Sequence, residues 1–121
     1  GKGGFEPVPV EHSGFMADRD AKGLAKLMMG GGREMIIVGN NDSATQTFVM
    51  NQAGNYYRAE KDDAYALVTR KDGSVYKHEF YYGSTYLSQS SRVLKFSSDM
   101  ISVKVFDFNG NVKEVTGTIN N

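Results

Sequence analysis

Apolar and polar residues alternate over short runs along this chain, and turn residues interrupt them about every ten positions, a pattern that predicts short antiparallel strands. The predicted strands are Gly14–Ala17, Leu24–Met29, Glu34–Val38, Thr45–Met50, Tyr56–Ala59, Ala64–Arg70, Ser74–Tyr82, Val93–Phe96, Met100–Phe106 and Val112–Gly117. Ahead of them, Gly1 to His12 reads as an extended lead-in, because Pro7 and Pro9 block a helix and deny central-strand pairing. One segment fits two templates. Asp20 could cap a helix over Ala21–Met29, with Leu24, Leu27 and Met28 on one face and Gly30-Gly31-Gly32 ending it. Gly23 costs that helix about 1 kcal/mol, which tips the segment to strand. The expected fold is all-β: an antiparallel sandwich or barrel-like meander of about eight to ten short strands, with at most one short helix near 21–29.

Two hairpins can be read to the level of register. A two-residue Asn109-Gly110 turn would mix buried and solvated side chains on each face. A three-residue Phe108-Asn109-Gly110 loop with Gly110 left-handed instead pairs Phe106 with Val112, Lys104 with Glu114 and Val103 with Val115. The same choice at Lys71-Asp72-Gly73 pairs Val68 with Tyr76, Ala66 with His78 and Ala64 with Phe80. A slip by one residue would turn every side chain to the wrong face, so both three-residue loops are expected.

Composition narrows the classes. The chain has 121 residues, 40% of them hydrophobic, which suits one globular domain. Fourteen basic residues balance fourteen acidic ones, so the electrostatic footprint of a nucleic-acid binder is missing. No apolar run approaches the roughly 20 residues of a membrane-spanning helix. Cysteine is absent, which removes disulfides, thiolate metal sites and a thiol nucleophile. No signal peptide is visible, and Gly1 looks like the residue left by tag removal, so a leader would lie outside this sequence.

Two stretches carry a resemblance. Asp18-Arg19-Asp20-Ala21-Lys22-Gly23-Leu24-Ala25-Lys26-Leu27, followed by Met35-Ile36-Ile37-Val38-Gly39-Asn40-Asn41 and Phe48-Val49-Met50-Asn51, looks like one FG-GAP/VCBS-type propeller blade. The blade pattern runs D-x-D-x-D-G-x-x-D-L, an apolar "VGN" strand, then F-x-x-N. Farther on come Asp72-Gly73, His78-Glu79, the run Tyr82-Gly83-Ser84-Thr85-Tyr86-Leu87-Ser88-Gln89-Ser90-Ser91-Arg92, Phe96 and Asn109-Gly110. Their order is similar to the ASPIC/UnbV domain, a β-rich module that follows FG-GAP repeats at the C-terminus of secreted and surface proteins. The resemblance implies a single β domain in which a blade-like segment, residues 13–52, packs on a module formed by residues 53–121. It also implies an extracytoplasmic setting (periplasmic, outer-membrane surface or secreted) and a non-enzymatic role, either structural or in binding a glycan or protein. One blade cannot close a propeller of roughly four to eight blades, so its strands must pack on the module or on another chain. Two alternatives stand beside this: an accessory domain bracing a catalytic domain elsewhere in a parent chain, or an assembly module forming homo-oligomers through exposed strand edges.

In the family's blade loop, alternating carboxylates hold Ca²⁺. Asp18, Asp20 and Gly23 remain here, but Lys22 and Lys26 stand at acidic positions, so neither a metal nor any cofactor is expected. Asp18 and Asp20 are expected to accept backbone N–H bonds, with a lysine replacing the ion. All seven tyrosines lie between Tyr56 and Tyr86. They suit strand packing, and aromatic faces beside polar groups can also stack on sugar rings. The ligand-contact candidates are Tyr81, Tyr82, Tyr86, Ser88, Gln89 and Arg92. The hydroxyls and amides of residues 84–91 could instead satisfy backbone groups of a long loop. No catalytic residue is proposed: Glu11-His12 and His78-Glu79 are the only His/carboxylate neighbours, and adjacent strand residues face opposite ways. Asn41-Asp42-Ser43 matches the N-glycosylation pattern, a short match that chance supplies.

Overall fold

In the computed structural model, which describes residues 4–86 and 88–116, the lead-in ends in a single helical turn, α1 (Val10–Ser13). Pro9 precedes that turn, where a missing N–H costs nothing, so the proline that forbids a helix through itself permits one just after it. Gly14 closes the turn at φ +65° and donates to the Val10 carbonyl at 2.7 Å. The strand expected at Gly14–Ala17 does not form. Those residues are held by side chains instead: Phe15 packs on Phe48 with ring centroids 4.7 Å apart, and the Gln46 amide donates to the Met16 carbonyl.

Ala21–Met28 is a strand, β1, and the helix reading of that segment is set aside. It pairs antiparallel with β2 (Glu34–Asn40), which pairs with β3 (Gln46–Val49), giving the order β1-β2-β3. The β1–β2 connection is a 3-10 turn over Gly30–Gly32, in which Gly31 and Gly32 both take φ +71°. At Gly32 a Cβ would collide with the Gly54 carbonyl, while the Gly54 N–H donates to Gly32 at 3.0 Å. The triple glycine is therefore a shaped turn against which the following connection packs.

The remaining strands are β4 (Tyr56–Arg58), β5 (Asp63–Arg70), β6 (Val75–Glu79), β7 (Val93–Lys95), β8 (Met100–Asp107) and β9 (Val112–Val115). β4 pairs with β7, and the other four form a sheet in the order β6-β5-β8-β9. Both hairpins adopt the expected registers. Val68 faces Tyr76, Ala66 faces His78, and Phe80 donates to the Ala64 carbonyl at 2.9 Å. Phe106 faces Val112, Lys104 faces Glu114, and Val103 faces Val115. Gly73 and Gly110 sit at φ +81° and +88°, as the bulged loops require. Gly117, expected to end the last strand, lies outside the described residues.

The core lies on one face of the four-stranded sheet. Ala66 and Val68 pair across to Val105 and Val103, and this patch is covered by Phe80 and by Leu94 of β7. Tyr57, Phe96 and Met100 pack around its margin. Each fully buried valine or phenylalanine contributes about 1.5–3 kcal/mol relative to exposure, and Val38 of β2, 1% exposed, adds one such side chain outside this patch.

Candidate functional site

Thr85, Ser88, Ser90 and Ser91 lie along the open side of β1 and close it. The Leu24 carbonyl accepts from Thr85 Oγ1 and Ser88 Oγ at 3.0 and 3.1 Å. The Lys26 N–H donates to Ser90 Oγ, the Ser91 N–H donates to the Lys26 carbonyl at 2.7 Å, and the Met28 N–H donates to Ser91 Oγ. An edge strand's unpaired donors and acceptors are thereby satisfied by hydroxyls. Gln89 is committed as well: its carbonyl accepts from Gly83 N–H, and its amide donates to Ser90 and Tyr81 carbonyls. Leu87 lies outside the described residues.

Arg92 points inward. Its guanidinium donates to the Phe80 carbonyl at 3.1 Å, to the Glu60 carbonyl at 2.9 Å, to the Asp63 carbonyl and to the Tyr82 hydroxyl, and it stacks on the Tyr82 ring at 3.9 Å. Tyr82 in turn donates to the Lys61 carbonyl. Among the six ligand-contact candidates, the polar ends of Tyr82, Ser88, Gln89 and Arg92 are thus engaged within the fold. Tyr81 and Tyr86 remain 64% and 76% exposed.

A groove of about 380 Å³ gathers Tyr81, Gln89 and Arg92 with residues that were not ligand-contact candidates in the sequence, chiefly Lys26, Glu34, His78, Ser84 and Lys95. Glu34 is held at 2.8 Å by Lys95 and reached only loosely, at 3.8 Å, by Lys26. The hydrogen bond of 3.1 Å between His78 Nε2 and the Val93 carbonyl places the ring proton on Nε2. Burial pushes the imidazole pKa down and the Lys26 charge adds to this, outweighing the Val93 hydrogen bond and Glu79. His78 is therefore neutral at pH 7, with Nδ1 as an acceptor. The hairpin register had already put His78 on the apolar face. Lys26 and Glu34 meet it only because residues 84–91 draw β1 alongside, a long-range event no local pattern announces.

A second polar cluster also lacked a sequence signal. Asp63, 3% exposed, accepts from the Tyr57 hydroxyl, from the Glu60 N–H at 2.7 Å and from Lys113 Nζ at 3.0 Å. Glu60 meets the same ammonium at 2.9 Å. Burial opposes the Asp63 carboxylate, but Tyr57, the Glu60 amide and Lys113 outweigh it and hold its pKa below the usual value. Burial and the neighbouring Asp63 push the Tyr57 hydroxyl up to about 12. Every member faces another, so the cluster is a strut joining β5 to β9 across β8.

Asp18 and Asp20 accept from side chains rather than from backbone N–H groups as expected. Gln46 Nε2 reaches Asp18 at 3.2 Å, while Lys22 and Asn41 hold the two oxygens of Asp20. Hydrogen bonds from Lys22 and Asn41 lower the Asp20 pKa. Gly23 sits within β1 beside a register shift opposite Gly39, not at the apex of a loop. Among the described residues, no group of three or more His, Asp or Glu is arranged to hold a metal ion. No helix there is long and apolar enough to cross a membrane. Comparison with protein-family models, curated proteins and solved structures gave no match for this chain.

Proposed function

We propose that this chain is a non-enzymatic, extracytoplasmic β module from the C-terminal end of an FG-GAP/VCBS-type surface protein, and that it binds a saccharide at the groove bordered by Tyr81. The carrying observation is the division of labour within the polar run. The hydroxyls of Thr85, Ser88, Ser90 and Ser91, the Gln89 amide and Arg92 are spent on the fold, whereas the rings of Tyr81 and Tyr86 are left facing solvent. A flat aromatic face beside fixed donors and acceptors suits the apolar face and hydroxyl rim of a pyranose. The blade-like and ASPIC/UnbV-like motifs support the surface-protein setting.

A glycan-array screen of the intact chain beside a Tyr81→Ala/Tyr86→Ala double variant tests the reading. Both rings are exposed, so the variant should keep the parent's circular dichroism spectrum. Saccharide signal is expected for the parent and lost in the variant. Absence of signal above background for both proteins would leave only the structural role.

A further inference from the structure

We propose that the ligand of the groove is a saccharide bearing a carboxylate, its ring on the face of Tyr81 and its acid on Lys26. This rests on the binding-module reading above and adds the class of sugar. The charges lining the groove are unevenly matched. Lys95 and Glu34 form a short pair at 2.8 Å, Glu79 is paired with Lys77, and the Arg92 guanidinium is occupied by carbonyls and Tyr82. Lys26 is the groove cation whose only described ion pair is long, at 3.8 Å, and its side chain is 56% exposed.

Its backbone is fixed on both sides, by Ser90 Oγ at its N–H and by the Ser91 N–H at its carbonyl, so the root of its side chain is held beside the groove and the ammonium can swing to an incoming acid. A carboxylate arriving there gains a charge-assisted hydrogen bond without breaking a short ion pair. Neutral acceptors and donors complete the lining. His78 gives its Nε2 proton to Val93 and keeps Nδ1 to accept from a sugar hydroxyl. Ser84 Oγ accepts from the Ser90 N–H at 3.2 Å and keeps its own proton to donate. The groove volume of about 380 Å³ lies within the span of small-ligand sites. A peptide adding as a strand would find the β1 edge taken by Ser90 and Ser91, and the hexaglutamate arm of the test below covers addition at β6, the terminal strand of its sheet.

The test is isothermal titration of the intact chain with a set of uronate-containing disaccharides, their neutral hexose counterparts and hexaglutamate. The acidic sugars are expected to bind about tenfold more tightly than the neutral ones, the worth of one charge-assisted hydrogen bond. Lys26→Gln should erase that difference while leaving neutral-sugar affinity in place, and Lys26→Arg should preserve it. Tyr81→Ala should weaken both sugar classes together. Equal affinity for acidic and neutral sugars would overturn this inference and leave the binding-module reading intact. Failure of every sugar to bind would overturn both. Binding of hexaglutamate through Lys26, with none of the uronates, would assign the groove to a peptide and overturn the proposal.

Discussion

Asp63 and its partner Tyr57 make stability depend on pH at the acid and the alkaline end respectively. The folded pKa of Asp63 lies below the usual value, so its contribution to stability is complete above the unfolded pKa of about 4 and is lost as pH falls through the folded value. Tyr57 acts at the opposite limit. Its pKa is raised to about 12, so its contribution is present below the unfolded value of about 10 and disappears as pH climbs between the two. Urea midpoints measured from pH 2 to pH 12 should therefore fall at both ends. Tyr57→Phe should blunt the alkaline fall, and Asp63→Ala should cost about 1–3 kcal/mol at pH 7 by leaving the Tyr57 hydroxyl and the Glu60 N–H without their acceptor. None of this was legible in the sequence. Nothing beside Asp63 in the sequence marks it, because its partner Lys113 belongs to a strand separated from it by β8. His78 was half legible, its face given by the Gly73 hairpin and its polar neighbours not.

Hairpins were the part of the fold most open to reading, because one glycine and one alternating run fix a register on their own. Ala66 against His78 and Phe106 against Val112 are local consequences of Gly73 and Gly110. Gly14–Ala17 failed as a strand for the opposite reason. Four residues of suitable composition specify no partner, and the Phe15–Phe48 contact and the Gln46 side chain claimed the segment first. The run Gly30–Gly32 reads in the sequence only as a stop to the preceding segment, yet its third member is set by contact with Gly54, which only the assembled sheets bring near. Gly32→Ala should accordingly lower stability by about 1–3 kcal/mol, through positive φ and the Gly54 clash together. Gly30→Ala, with open space around its Cβ position, should leave the urea midpoint nearly unchanged.

Taken whole, the molecule is three small sheets that share polar seams as much as a core. The core proper covers one face of β6-β5-β8-β9, while the β1-β2-β3 sheet is joined to the rest by Gly32–Gly54, Glu34–Lys95 and the serines of residues 84–91. The loop that resembles a Ca²⁺ site already holds Lys22 on Asp20, so millimolar Ca²⁺ should leave the melting temperature where it was, as differential scanning calorimetry would record. The edge of β1 is filled from within, so pairing between copies would use another terminal strand (β3, β4, β6, β7 or β9), and light scattering over a range of concentrations checks for such assembly. The stitching of β1 by Thr85, Ser88, Ser90 and Ser91 also fixes an order of events. On a ribosome the first sheet emerges early and stays unfinished until the later hydroxyls follow it out of the exit tunnel. The first sheet of this chain is thus made before the segment that closes its edge.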